Sequence, residues 1–439
     1  MDSCITLPLP RIHILYRGVL AALLISMLGT TVGCGAFSSS ASHAVSIVVF
    51  GDSLTCGGQG NAYGQSPAGS VPASLQSILG IPVLNQGVGG NTSNQIAVRY
   101  NAGGANQTVA LTGNQIYASG SVQVTFPSGW EPVTSNGGNN GAGCYQSLMG
   151  SGTNAVINSV PGTFTYSNGV YQFTPSTYPS SPVAASANNS YSVASPYANA
   201  FLVVSAGSND FANGFPNTAA LIADDTAMTS LASERYLVTS ALPFIYSAYW
   251  SGGPNAVALA SLNAAKSSTF GSHYVDTLTP LLDGCEPVPG STIASLDMID
   301  IFHGIVPTSC RAYDAGQLTQ NVTAAQTSLC LADSYLEVGM IGYLSHTPAP
   351  MGTVEAFQIT AISTPGNCPS GSRVTVVRGY AGTAPGTYTA SVDSWGIWSD
   401  VHLSGGIPNP QLAAKTGYTI QAESIAAAYT KLNPASATK

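Results

Sequence analysis

Val45-Ser46-Ile47-Val48-Val49-Phe50-Gly51-Asp52-Ser53-Leu54-Thr55 opens with a run of β-branched and aromatic side chains that reads as a buried strand. The Gly51-Asp52-Ser53 turn ends it. A buried strand that stops at a glycine-flanked turn is where open α/β sheets put their chemistry. Moving outward, Leu75, Ile78 and Leu79 mark a helix that breaks at Gly80, and residues 81–84 form a second short strand. That strand leads into Asn85-Gln86-Gly87-Val88-Gly89-Gly90-Asn91-Thr92. A third apolar strand, residues 200–205, ends in Ala206-Gly207-Ser208-Asn209-Asp210. Tyr236-Leu237-Val238 and His273-Tyr274-Val275 read as two further strands, with an Ala-rich helix over 255–270 between them. This alternation predicts an α/β fold with a parallel sheet.

Two stretches break the rhythm. Residues 95–198 are rich in Gly, Asn, Ser and Pro, with short alternating runs such as 121–126 and a hairpin signal over 162–173 turning at Asn168-Gly169. About 100 residues is too long for a structureless loop in a compact domain, so an inserted β-rich module is expected. Residues 315–397 hold a second, smaller β insertion, in which 354–362 and 373–380 look like paired strands. The α/β part is then left as 45–94, 199–314 and 398–434, closing with a helix over 420–432.

Composition narrows the setting. Only 7% of the 439 residues are charged, against roughly 25% in an ordinary soluble protein. The net charge of -8 is spread thinly. No basic run could track a phosphate backbone, so nucleic acid is not an expected partner. Arg11 and Arg17 precede an apolar run from Val19 to Leu28, and small residues lead to Cys34. This is the layout of a secretory signal over residues 1–34, too short in its apolar part to span a bilayer. Cys34 could become the lipid-modified first residue of the mature chain, which would be the one membrane attachment; Thr31 fits that signal class poorly, and ordinary cleavage nearby stays open. The expected location is exported, whether periplasmic, on the cell surface or secreted.

With Cys4 in the signal and Cys34 set aside, Cys56, Cys144, Cys285, Cys310, Cys330 and Cys368 remain for an oxidising compartment. They lack the close C-x-x-C pairs of a structural zinc site. The pairing read here is Cys330 with Cys368, Cys285 with Cys310 and Cys56 with Cys144.

A serine hydroxyl needs a base to take its proton, and the resulting oxyanion needs donors already in place. Ser53, Gly90 and Asn209 follow three successive strands, and His402 precedes the last helix, so one sheet edge can gather all four. Taken singly, each has a plain structural explanation. Ser53 can be a cap, Gly90 a turn former, Asn209 a loop-backbone partner, and His402 a packed turn residue. Their joint order points to chemistry. Arg311 is a candidate for an anionic substrate group, against a local structural pair. Trp130, Tyr145, Tyr166 and Tyr171 are candidates for a sugar-stacking surface, against ordinary strand packing.

Gly51-Asp52-Ser53-Leu54, Asn85-x-Gly87-x-x-Gly90-Asn91-Thr92, Gly207-Ser208-Asn209-Asp210 and Asp400-Val401-His402-Leu403 resemble, in order, the motif blocks of the GDSL, or SGNH, hydrolase superfamily. The resemblance covers the α/β part and leaves both insertions outside. It implies a flavodoxin-like three-layer sandwich and a serine esterase with Ser53 as nucleophile and His402 as general base. The oxyanion hole it implies is the N–H of Ser53, the N–H of Gly90 and the side-chain amide of Asn209. No metal or organic cofactor is implied. Family members generally carry Asp three residues before the histidine; Ser399 stands there, and Asp400 is two before. Either Asp400 orients the imidazole, or a backbone carbonyl or another carboxylate does. The expected substrate is a small-molecule or saccharide ester. An acyltransferase using the same residues, and a surface-anchored glycan-binding protein with a vestigial site, remain as alternatives.

Overall fold

The computed structural model describes residues 46–57, 69–132, 153–167, 169–193, 197, 199–212, 214, 217–245, 247–285, 292–331, 336, 338–346, 354–363, 368, 371–403 and 415–433. The leader with Cys34, the residue Cys144 and the residue Tyr145 lie outside them. In chain order, β1 (Ile47–Gly51) runs into α1 (Ser53–Cys56), followed by α2 (Val71–Leu79), β2 (Val83–Gly87) and α3 (Ser93–Arg99). Next come β3 (Thr108–Leu111), β4 (Gln115–Ile116), β5 (Val122–Thr125), β6 (Thr153–Ile157), β7 (Val160–Ser167), β8 (Val170–Pro175), β9 (Val183–Ala184) and β10 (Asn189–Val193). The chain then returns through β11 (Phe201–Ser205), α4 (Ser208–Ala212), α5 (Thr218–Ala232), β12 (Tyr236–Thr239), α6 (Pro254–Phe270), β13 (Tyr274–Val275), α7 (Leu278–Gly284) and α8 (Thr292–His303). It ends with β14 (Arg311–Gln317), β15 (Ser328–Leu331), β16 (Ile341–Ser345), β17 (Glu355–Ser363), β18 (Ser372–Tyr380), β19 (Ser394–Leu403) and α9 (Gly417–Leu432).

Five strands form a parallel sheet in the order β13-β12-β11-β1-β2. Its central strands are buried on both faces, which is why β1 reads as a continuous apolar run. Ile47 and Val49 join Val203, Leu237, Leu75 and Tyr429 in one core. Val48 and Phe50 join Leu202, Val204, Ile96 and Met228 in another, on the opposite face. Local chemistry sets the helix ends. Ser70 caps α2 by accepting from the Ala73 N–H at 3.2 Å, Pro72 sits in its first turn, and Gly80 closes it in the left-handed conformation.

Strands β10-β3-β5-β8-β7-β6 close into an antiparallel barrel, with β4 and β9 paired beside it. The period of two is plain in β5, where Val122 and Val124 are buried and Gln123 and Thr125 exposed. Phe164, Phe173, Phe126 and Tyr191 fill the interior. Closure leaves no sheet edge open to other chains. Ser167 pairs with Val170 across the expected hairpin turn, with Gly169 at φ +80°. Residues 93–99, by contrast, form a helix over the parallel sheet; Ile96 and Ala97 belong to its core.

A third sheet, β14-β19-β16-β17-β18-β15, takes in residues on both sides of 315–397. The expected strands at 354–362 and 373–380 appear as the antiparallel pair β17 and β18. Its strand β19 runs on to Leu403, so Asp400 and His402 lie in this sheet and not in a loop of the α/β part. Cys285 bonds Cys310 and Cys330 bonds Cys368. Cys56 is disulfide-bonded as well. Among the described residues no helix is long and apolar enough to cross a membrane.

Candidate active site

Ser53 is the first residue of α1, directly after β1, and it is 7% exposed. The turn holding it is tight. Asp52 caps α1 by accepting the Leu54 N–H at 2.9 Å, and Gly57 closes the helix one turn later. A Cβ on Gly87, the residue opposite Gly51 in β2, would collide with the backbone of Cys56 and Asp52. Glycine at 87 thus lets the second strand pass directly beside the serine turn. Gly90, at φ +77°, is exposed at the end of that passage. A left-handed backbone there favours glycine over any other residue.

Side chains tie the three loops together. The Arg99 guanidinium, 4% exposed, donates to the Gly51 carbonyl at 2.9 Å, the Gln86 carbonyl at 2.8 Å and Asn91 Oδ1 at 2.8 Å. One cation therefore holds the exits of β1 and β2 and the residue after Gly90. The half-buried Asn209 donates from Nδ2 to the Asn91 carbonyl at 3.1 Å. Its neighbour Asp210 accepts from the Ser93 N–H at 3.0 Å and from the Ser93 hydroxyl at 3.0 Å. Lys266, fully buried, donates to the carbonyls of Ala206 and Thr239 at 2.8 and 3.3 Å and pairs with Asp225 at 3.0 Å. It does for β11 and β12 what Arg99 does for β1 and β2.

So many buried carboxyls cost solvation, and their proton affinities rise. Burial pushes Asp52 up to about 7; the Leu54 N–H opposes this, and the charge of Asp210 adds to it. Burial also raises Asp210 to about 6 against the Ser93 hydrogen bonds, and Asp224 to about 6 against the Ser93 hydroxyl. Asp225 is raised by burial and held down by Lys266.

The expected base lies on different scaffolding. In β19, Trp398 pairs with Tyr313 and Leu403 with Arg311, so five residue steps on β19 face two on β14. Residues 399–402, which include Asp400 and His402, stand in that irregularity. Bulges of this kind recur next to active sites. The strand is also close to the serine: α1 packs against β19. Beyond His402, Leu403 is fully buried and packs against Gly417 at the start of α9.

Arg311 is part of the framework. It is 1% exposed and pairs with Asp300 at 2.6 Å, so it is committed to a local ion pair and not to an anionic ligand. Tyr166 and Tyr171 pack on each other with ring centroids 4.7 Å apart, and Tyr171 also meets Phe126, as strand packing predicts. Trp130 is half-buried after β5. The sequence reading missed Arg99 and Lys266. A signal for Arg99 was present, since it is the only Lys or Arg between Arg17 and Arg235.

The profile of the GDSL-like lipase/acylhydrolase family matches residues 47–288. No curated protein matches the chain. Among solved structures, one assigned to the G-D-S-L family of lipolytic proteins, from Desulfitobacterium hafniense DCB-2, is 14% identical; the match covers 54% of this chain and 79% of that one, at a TM-score of 0.26. The family match takes in the turns at Ser53, Gly90 and Asn209 and over half of the chain, which therefore belongs to the GDSL-like lipase/acylhydrolase family of ester hydrolases.

Proposed function

We propose that the protein is an exported serine esterase that cleaves carboxylic esters through an acyl-enzyme. Ser53 Oγ attacks the ester carbonyl while His402 takes its proton. The oxyanion is met by the N–H groups of Ser53 and Gly90 and by the Asn209 amide. His402 then returns the proton to the leaving alcohol, and water, deprotonated by the same imidazole, releases the acid from Ser53. The observation that carries this reading is the set of hydrogen bonds from Arg99 and Asn209 that joins the Ser53, Gly90 and Asn91 segments. The strand order, in which β2, β1, β11, β12 and β13 follow as 2-1-3-4-5, matches the flavodoxin-like arrangement and supports a three-layer sandwich.

Asp400 is our choice for the group that orients His402. Both lie in β19, two residues apart, in the stretch where its pairing with β14 is irregular. Export is supported by the disulfides, which form and persist in oxidising compartments. The substrate class we favour is an O-acylated saccharide.

Labelling with a fluorophosphonate probe tests the core of the reading. The purified parent should label, and Ser53→Ala and His402→Ala, shown to be folded by circular dichroism, should not. A folded parent that resists the probe and turns over no short-chain ester would overturn the proposal.

A further inference from the structure

Beside the Gly90 turn lies a cavity of about 530 Å³, within the roughly 300–1,000 Å³ usual for small-molecule sites. Gly90 forms part of its wall. Gln95 of α3 and Asn217 and Leu221 around the start of α5 line it from the α/β side, and Ser128 and Glu131, which follow β5, line it from the barrel side. The insertion therefore supplies a wall of a cavity that begins at an expected oxyanion-hole residue.

The lining selects a chemistry. The wall mixes apolar surface, including that of Ala220 and Leu221, with amide, hydroxyl and carboxylate residues, as suits a sugar ring with its apolar faces and hydroxyl edge, and among the described residues that line it none is Lys, Arg or aromatic. A fatty acyl chain could use the apolar surface but would shut the remaining acceptor capacity of the Glu131 carboxylate away from water, which is costly. An anionic group would meet Glu131 with no cation to offset it. A quaternary ammonium would lack the aromatic faces that normally receive it. Neutral hydroxyls fit on every count, because each can donate to a carboxylate and accept from an amide. Glu131 is already aimed: its Oε1 accepts the Gly129 N–H at 3.2 Å, and its Oε2 accepts from Gln95 Nε2 at 3.4 Å. Each oxygen keeps acceptor capacity for a sugar hydroxyl.

We propose that this cavity binds an uncharged saccharide unit of the substrate and that Glu131 is its principal hydroxyl acceptor. The inference rests on the esterase reading and deepens it, giving the favoured saccharide substrate a binding cavity and naming the residue that selects it. The insertion is then a specificity module.

Hydrolysis of O-acetylated xylotetraose and of p-nitrophenyl acetate, by the parent, Glu131→Gln and Glu131→Ala, tests it. The ratio of kcat/KM for the saccharide ester to that for the aryl ester should fall about tenfold or more in Glu131→Ala, chiefly through KM. Glu131→Gln, which keeps an acceptor oxygen, should fall less. An acetylated galacturonate oligomer should be a poorer substrate than the neutral one for the parent, and Glu131→Gln should narrow that gap, which mere loosening of the loop would not do. If the parent cleaves the aryl ester but the ratio stays fixed in both variants, the saccharide site is wrong and the esterase stands. If the parent cleaves neither ester, calorimetric titration of Ser53→Ala with unacetylated xylotetraose decides the site alone: binding that is lost on adding Glu131→Ala supports it, and no binding overturns it.

Discussion

Around Ser53, Gly90 and Asn209 the exits of β1, β2, β11 and β12 are tied by buried cations to backbone carbonyls, whereas Asp400 and His402 ride near the end of an antiparallel strand where pairing is irregular. The first half depends on a parallel sheet, whose strands all end on one side and leave carbonyls there for Arg99 and Lys266 to bind, that of Gly51 alongside the Val88 N–H at 3.0 Å. Arg99 and Lys266 satisfy those carbonyls and fix the spacing between loops. The second half depends on pairing between β14 and β19, with Arg311, the residue opposite Leu403, buried against Asp300. A chain with only 11 Lys and Arg places three of them, fully or almost fully buried, at these framework points. Charge is used here to position backbone, and solvation is left to uncharged polar residues.

The sharpest way to break this contrast is at Asp400. If it orients His402, Asp400→Asn should lower kcat by about 10³ to 10⁴ with little change in KM, since an amide in that position favours the wrong imidazole tautomer. A loss under about tenfold would assign orientation to a backbone carbonyl or another carboxylate. The irregular strand would then hold the histidine without a triad.

On the opposite half, Arg99→Met removes the hydrogen bonds to the Gly51 and Gln86 carbonyls and to Asn91 Oδ1, of which the Gly51 carbonyl keeps the Val88 N–H. Stability should fall by about 3 kcal/mol or more. If Arg99 also sets the distance between the serine turn and the Gly90 turn, kcat measured on folded protein should drop about 10²-fold while KM moves little, because small misplacements at a reacting centre cost that much. Arg99→Lys should recover part of the stability and less of kcat, since an ammonium cannot reproduce the planar fork. A folded Arg99→Met enzyme with kcat within twofold of the parent would make the residue structural only.

The same contrast governs how much could be read without coordinates. The parallel sheet was legible because its signals are local: an apolar run, a glycine turn, then a helix. Positions 51, 87 and 207 each announce a strand end. The half that carries His402 was not, because β19 pairs with β14 and β16, distant in sequence, and residues 393–398 are all buried, so no period of two marks the strand. Helix α5 was missed for a related reason. Its inward positions include Asp224 and Asp225 beside Leu221 and Met228, and two carboxyls interrupt the apolar stripe that identifies a helix. Those residues look like surface and serve the interior. The departure at Asp400 belongs to the same blind spot, since a two-residue spacing has meaning only once the segment is known to be extended.

The smallest expected effect tests the buried carboxyls of both halves together. Asp52 and Asp297 are raised to about 7 by burial, and Asp210 and Asp224 to about 6. Each binds its proton more tightly in the folded chain than in the unfolded one, where Asp titrates near 3.9. Between those values the native state holds more protons, so the contribution of these groups is complete at low pH and is lost as pH rises through about 6 to 7. The melting temperature should therefore be higher near about pH 5 than near about pH 8, by a few degrees, at on the order of 2 °C per kcal/mol. Asp297→Asn keeps the oxygen that accepts the Ser309 N–H at 2.9 Å and removes the titration, so it should flatten the slope without lowering stability near pH 8. Asp224→Asn should flatten it from the serine side. A melting temperature that climbs steadily between the two pH values would mean that the carboxyls are ionised and compensated in the fold, and that the cations at the strand exits answer to a negative interior. Activity should run the other way if His402 is the base, rising with pH as the imidazole loses its proton, so the enzyme would work best where its buried acids stabilise it least.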